Sequence, residues 1–295
     1  MKILLTGYSG QLGQAIISQK PKHHQILLPK RNELDLSDYL TCKKYIELNK
    51  PDFVINTGAY TNVDLAEKEK ELCYAINTTA PITFAKVLKD IGGNLLQIST
   101  DYVFDGNKNF AYKEHDERNP ISQYGYSKAK AEELLEKILN PKNQLIILRT
   151  SWLIGPTGEN FLKKILNLHK TKNEFFVVSD QIGSMSSSFD VAQTCWQIIN
   201  KWDYLSKNNF INHWSCSGIS SWYDIAINIG DLAQKYNILD SPAIIKPIKT
   251  ENYSTSAKRP LFSVLDCGKT SDNLDKDCKY WQHELEIIIS KMVKF

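Results

Sequence analysis

The chain has 295 residues, 42% of them hydrophobic, enough to bury the core of one large α/β domain or two modest ones. Its formal net charge of +3 is small for that length, and no Lys/Arg-rich block stands out, so nucleic acid and membrane surfaces are disfavoured as partners and a small ligand is expected. Six cysteines without Cys-x-x-Cys or Cys/His ligand spacing argue for reduced thiols rather than disulfides or zinc.

The opening run Met1–Gly7 breaks too early for a signal-peptide core, and no later stretch approaches the ~18 continuous apolar residues of a membrane helix, so a cytoplasmic protein is expected. Lys2–Thr6 reads as a strand. It leads into Gly7-Tyr8-Ser9-Gly10-Gln11-Leu12-Gly13 and then a helix-like stretch from Gln14 to Gln19. Strand, glycine turn and helix is the context of a dinucleotide site: glycines permit the turn and close backbone approach, and the helix N-terminus faces the pyrophosphate. Gly7, Ser9, Gly10, Gln11, Leu12 and Gly13 are therefore candidate cofactor contacts. A second strand, Gln25–Leu28, is followed by Pro29-Lys30-Arg31, where an NAD-preferring protein usually places an acid. Lys30 and Arg31 can instead hold the extra phosphate of NADP, which predicts NADPH, with NADH as the alternative. Ser37 or Asp38 reads as a helix cap.

Asp52–Asn56 is a third strand. Small residues after it, with Gly58, Ala59, Tyr60 and Thr61 as candidate contacts, let a cofactor lie on the backbone at the sheet's carboxyl edge. Glu67–Glu71 reads as a charged, solvated helix and Ala75–Asp90 as a packed one. Asn94–Ile98, the fourth strand, ends in Ser99-Thr100-Asp101-Tyr102.

Tyr124 and Lys128 lie four residues apart on a predicted helix, so an ammonium can stand near a phenol and lower its pKa. Tyr126 and Lys130 repeat the spacing about 200° around the helix, and only one pair can face a substrate. Thr100 at a strand's carboxyl end, a phenol and an ammonium are the parts needed to reduce a carbonyl. Farther on, Gln144–Leu148 is another strand, and the rhythm loosens beyond Gly155. His213 reads as a structural histidine, and Arg259 before Pro260 as a clamp for a diphosphate.

The Gly-x-x-Gly-x-x-Gly spacing resembles the extended short-chain dehydrogenase/reductases. Together with Asp52–Glu67, Ser99–Gly106, Tyr124–Glu132, Arg149–Trp152, Asp180–Gly183, Ser217–Trp222 and Arg259-Pro260, the chain resembles the dTDP-4-dehydrorhamnose reductase family over nearly its full length. The resemblance implies an α/β fold, a doubly wound parallel Rossmann sheet in residues 1–155 with a smaller α/β substrate-binding lobe mainly in 156–295, some segments of which return to the first domain. It selects Tyr124 and Lys128 over Tyr126 and Lys130. It implies Asp35 and Leu36 at the adenine, and Val63, Thr100, Asp101, Tyr102, Trp152, Trp222 and Arg259 at a dTDP-sugar, whose 4-keto group is reduced by NADPH for cell-surface polysaccharide synthesis. Asp101-Tyr102 stands where sister 4,6-dehydratases carry Asp-Glu, which disfavours elimination. Ser184-Met185-Ser186 departs from the family's usual loop, and Ala15 stands where a glutamate would help hold magnesium, so no metal is expected and a homodimer is left open. The resemblance reaches two alternatives: reductases of other 4-keto-6-deoxy sugar nucleotides, and the NADP-binding regulatory subunit of methionine adenosyltransferase.

Overall fold

The computed structural model describes residues 1–293. Strands β1 (Lys2–Thr6), β2 (Gln25–Leu27), β3 (Phe53–Asn56), β4 (Asn94–Thr100) and β5 (Leu145–Thr150) alternate with helices α1 (Gln11–Ser18), α2 (Tyr39–Asn49), α3 (Val63–Ala66), α4 (Lys70–Tyr74), α5 (Ala80–Ile91) and α6 (Gln123–Leu139). There follow β6 (Leu153–Ile154), α7 (Phe161–Thr171), β7 (Glu174–Val178), β8 (Ile182–Gly183), β9 (Ser186–Ser187), α8 (Ser188–Asn200), α9 (Trp202–Asn208) and β10 (Ile211–His213). The chain ends through β11 (Ser220–Ser221), α10 (Trp222–Lys235), β12 (Ile244–Ile248), α11 (Gly268–Leu274) and α12 (Trp281–Val293).

The main sheet runs β2-β1-β3-β4-β5-β10, every pair parallel. Parallel strands linked by helices are covered on both faces, which is why β3 and β5 are buried without alternation. On one face Leu12 and Ile16 of α1 pack with Val191, Cys195 and Ile198 of α8. On the other, Ile46 of α2, Phe84 and Leu88 of α5 and Leu135 and Leu139 of α6 close the layer. The connections from β1 and β3 leave in opposite directions, so a crevice opens between their carboxyl ends. The fold is the expected doubly wound parallel sheet with a smaller α/β lobe. That lobe packs α7, α10 and α12 around the parallel pair β7–β12. No helix among the described residues is long and apolar enough to cross a membrane.

Two local expectations are corrected. The stretch Ala75–Asp90 is not one regular helix: a π-helical turn, Ala75–Thr79, precedes α5. Its wider turn brings Asn77 and Thr78 together onto Ser127 of α6, through Asn77 Nδ2 to Ser127 Oγ at 3.0 Å and Thr78 Oγ1 to the Ser127 carbonyl at 2.7 Å. The acidic stretch Glu67–Glu71 is interrupted rather than uniformly helical, with α3 ending at Ala66 and α4 starting at Lys70, and two of its carboxylates are taken as acceptors. Glu67 receives the Gln123 N–H at 2.8 Å and Glu69 the Tyr60 hydroxyl at 2.7 Å.

His24 stacks on Trp196 of α8 with ring centroids 5.6 Å apart, and neither ring nitrogen meets a partner among the described residues. Burial, helped by His23, the N-terminal amine and Lys20, lowers its pKa below the ordinary 6.5. The folded chain thus holds this imidazole neutral while the unfolded chain takes up a proton as pH falls below about 6.5. Stability contributed here is complete above that pH and is lost on acidification. In urea titrations the unfolding midpoint is expected to fall between pH 7 and pH 5, and His24→Phe to flatten that decline; an identical slope in the variant counts against it.

Candidate active site

The glycine turn sits at the crevice. Gly7 has φ +64°, and a Cβ there would come within 2.7 Å of Gly58, so the two loops meet backbone to backbone. Gly10 caps α1 without a side-chain hydrogen bond, which leaves first-turn N–H groups for an anion. Beneath them Thr6, Asn56 and Gln97 form a buried chain across β1, β3 and β4, with hydrogen bonds of 2.5 and 2.8 Å. The Thr6 hydroxyl also accepts the Gly58 N–H at 3.1 Å, and Asn77 accepts the Tyr60 N–H at 2.8 Å. The loop carrying Gly58, Ala59, Tyr60 and Thr61 is thereby fixed beside Gly7, and Val63 opens α3 just beyond it. Ser9, Leu12 and Gly13 lie in the same turn and helix start, and Leu36 packs against Gly58. Lys30 and Arg31 are exposed past β2, and the Asp35 carboxylate is occupied by the Ser37 N–H at 2.9 Å and hydroxyl at 2.7 Å. These fixed loops make a cradle that fits a dinucleotide.

At the end of β4, α6 comes close because it carries Gly125, where any Cβ would collide with the Tyr102 carbonyl. Ser122 caps α6 by accepting the Gly125 N–H at 3.2 Å. The helix turns Lys128 inward to 4% exposure, whereas Tyr126 is 48% exposed and Lys130 pairs with Glu133 at 2.8 Å. Thr100, Tyr124 and Lys128 converge at this edge. The Lys128 ammonium donates to the Ile98 carbonyl at 2.6 Å. Burial brings its pKa down to about 8, against the pull of Glu132 one turn along. Burial pushes the Tyr124 phenol above its ordinary value, the Thr100 hydroxyl drawing it partly back. The expectation that Lys128 lowers this phenol's pKa is reversed in sign here, because desolvation of the ring dominates and the ammonium is spent on a backbone carbonyl.

Asp101, expected at the substrate, is only 1% exposed and accepts the Thr100 hydroxyl at 3.0 Å. Desolvation raises its pKa to about 6. The Tyr102 ring stands edge-on to Tyr124, centroids 5.6 Å apart. Across the cleft Trp152 and Trp222 stack on each other at 3.9 Å, with Phe161 against Trp222 at 4.4 Å. Trp152 takes φ +45°, a conformation rare for a bulky residue. Arg259, expected as a clamp for a diphosphate, forks onto Asp64. Gln11 leaves the glycine turn sideways: its Oε1 accepts Asn160 Nδ2 at 2.8 Å, which ties α1 to the loop before α7.

Under the site lies a buried ionic cluster. Glu132 and Arg149 are 0% and 1% exposed and pair at 2.6 Å, Arg118 reaches the same carboxylate at 3.1 Å, and Ser99 donates to it at 2.5 Å. His213 faces Arg149 at 3.2 Å, and burial together with that cation brings its pKa down to about 3, so it is a neutral structural histidine. Asn77, Ser127, Asp64 and Asn160 did not stand out in the sequence. Each is a small polar residue whose partner lies at least 50 residues away, and no local pattern announces it. Among the described residues no group of three or more His, Cys, Asp or Glu is arranged to hold a metal ion.

The sequence profile described as RmlD substrate binding domain matches residues 1–294. A dTDP-4-dehydrorhamnose reductase of Aggregatibacter actinomycetemcomitans is 37% identical over 290 residues, 97% of this chain and 98% of that protein. This chain belongs to the dTDP-4-dehydrorhamnose reductase family. The crystal structure of a family member from Clostridium acetobutylicum is 37% identical, superposes with a TM-score of 0.89 and covers 99% of both chains. A second, from Bacillus anthracis in complex with NADP, is 31% identical with a TM-score of 0.87, covering 98% of this chain and 99% of that one. The family assignment and the glycine cradle agree on a nucleotide-dependent oxidoreductase.

Replacing Glu132 by Gln leaves Arg149 buried without its countercharge. The variant is expected to lose about 3–5 kcal/mol of stability, measured by urea denaturation. An unchanged midpoint would show that the cluster is dispensable.

Proposed function

We propose that this protein reduces the 4-keto group of dTDP-4-dehydro-L-rhamnose to give dTDP-L-rhamnose. The observation that carries the reading is the convergence of Thr100, Tyr124 and Lys128 at the carboxyl edge of β4, beside a glycine cradle, in a chain of this family. The A. actinomycetemcomitans relative carries the name of this activity and supports the substrate. In this reading residues 1–155 hold the cofactor, and the later part of the chain mainly holds the sugar nucleotide.

When bound, NADPH supplies the hydride that reaches carbon 4. The chain's own residues manage the charge this creates on the carbonyl oxygen. Tyr124, whose raised pKa keeps it protonated at neutral pH, donates its proton to the developing alkoxide. Thr100, whose hydroxyl donates to Asp101 in this structure, turns that single proton onto the same oxygen when the ketone is bound. Lys128 stays close to its charge transition and binds the ribose next to the nicotinamide, while the first turn of α1 with Ser9, Gly10 and Gln11 takes the pyrophosphate. Lys30 and Arg31, exposed just past β2, take the 2′-phosphate, so NADPH is preferred to NADH; the NADP-bound B. anthracis relative supports this cofactor. Trp152, Trp222 and Tyr102 line the sugar and base side, and Arg259 serves the diphosphate.

Incubation with dTDP-4-keto-6-deoxyglucose, a 3,5-epimerase and NADPH is expected to oxidise the cofactor and yield dTDP-rhamnose, identified by chromatography of the released sugar. A different product sugar would assign the enzyme to a sister reductase, and no cofactor oxidation would sink the reading. In the same assay Tyr124→Phe is expected to lose about 10²–10⁴-fold in kcat, and Tyr126→Phe, on the exposed face, to stay within about twofold of wild type. The reverse pattern would reassign the proton donor.

A further inference from the structure

Helix α3 and the segment 253–262 are far apart in sequence and meet at one ion pair. Arg259 Nη2 donates to Asp64 Oδ2 at 2.6 Å, and Nη1 donates to Oδ1 at 3.2 Å. The same Oδ1 accepts the Ala257 N–H at 3.0 Å, and Nη1 also reaches the Ala257 carbonyl at 3.3 Å. These bonds use the terminal edge of the guanidinium. Of the five N–H donors of an arginine, Nε–H and the second Nη2–H are left, and no acceptor for them is found among the described residues. They lie parallel on the side-on edge, the fork that matches two oxygens of a phosphate.

The position suits a nucleotide sugar. Tyr102 stands beside Tyr124, its ring edge-on at 5.6 Å, and Arg259 and Asp64 are near enough for their charges to act on its phenol. On a hexose, the 4-keto carbon and the carbon bearing the diphosphate are on opposite sides of the ring. A carbonyl held at Tyr124 therefore needs a cation set back from it, and Arg259, near Tyr102 but on a separate segment, suits that place. Its side chain is only 21% exposed, so it is already ordered before a ligand arrives.

We propose that Asp64 is a positioning residue for the substrate: by gripping the terminal edge of Arg259, it presents the side-on edge to the diphosphate of the nucleotide sugar. This rests on the reading of Arg259 as the diphosphate contact given above. Asp64 is distinct from a residue that merely closes the segment 253–262, because its loss should be felt in substrate binding and nowhere else.

The test is steady-state kinetics at saturating NADPH with the nucleotide sugar varied, on wild type, Asp64→Asn, Arg259→Lys and the double variant. Wild-type turnover is established first; if it is absent, the functional reading fails by itself, and the same variants are compared for dTDP binding by calorimetry. Asp64→Asn is expected to raise KM for the sugar nucleotide about tenfold with kcat within about twofold, and to leave the NADPH KM unmoved. Arg259→Lys keeps a charge opposite Asp64 but has no second edge, and is expected to show the same rise. The double variant should be no worse than either single one, since both remove one contact. An unchanged or lowered KM in Asp64→Asn, losses that multiply in the double variant, or a fall in kcat alone overturns the proposal. If circular dichroism shows Asp64→Asn unfolded, Arg259→Lys decides: an unchanged KM there overturns it as well.

Discussion

The interaction on which the site depends is the buried pair of Arg149 and Glu132. Arg149 projects from β5 and Glu132 from α6, and Ser99 of β4 and Arg118 of the intervening loop complete the carboxylate's shell. Two charges at 0% and 1% exposure are tolerable only because each has several partners. That requirement fixes α6 in rotation and in height against the sheet, since Arg149 bonds both carboxylate oxygens through Nε as well as Nη2. One turn before Glu132 on the same helix stands Lys128, and one turn before that Tyr124. The rotation that satisfies Glu132 is the rotation that points both toward Thr100.

The same dryness governs the titrating groups. Removed from water, the Tyr124 phenol and the Asp101 carboxyl are driven toward their protonated forms, and the Lys128 ammonium is brought down toward neutrality. An acid that must give up a proton to an alkoxide benefits from being reliably protonated beforehand. Thr100 is oriented by Asp101 rather than by solvent, so the hydroxyl and the phenol form one ordered unit. These features come from where α6 and β4 are packed, with Asp101 in the turn directly after β4.

Three ties hold the halves of the chain over this edge. Gln11 with Asn160 joins the glycine turn to the loop before α7, Asp64 with Arg259 joins α3 to the segment 253–262, and Ile211–His213 completes the main sheet beside β5. All three bring later residues to the carboxyl side of the early strands. The stacked pair Trp152 and Trp222 adds an aromatic contact between the segment after β5 and the start of α10.

Most of the first sheet was legible in the chain itself, as were the local patterns that mark the candidate site. Short apolar runs specify β1, β3, β4 and β5, and the glycine turn and the Tyr124 to Lys128 spacing are local patterns that one helical turn or one tight bend imposes. What needed the tertiary structure was everything set by partners distant in sequence. The π-helical turn at Ala75–Thr79 exists to place Asn77 and Thr78 on Ser127, and the period of the apolar residues there gives no sign of it. The burial of Asp101, the engagement of Arg259 by Asp64 and the upward shift of Tyr124 likewise follow from desolvation and long-range pairing. Residue order dictates which groups share a helix face; only packing decides which face is dry, and dryness sets their charge.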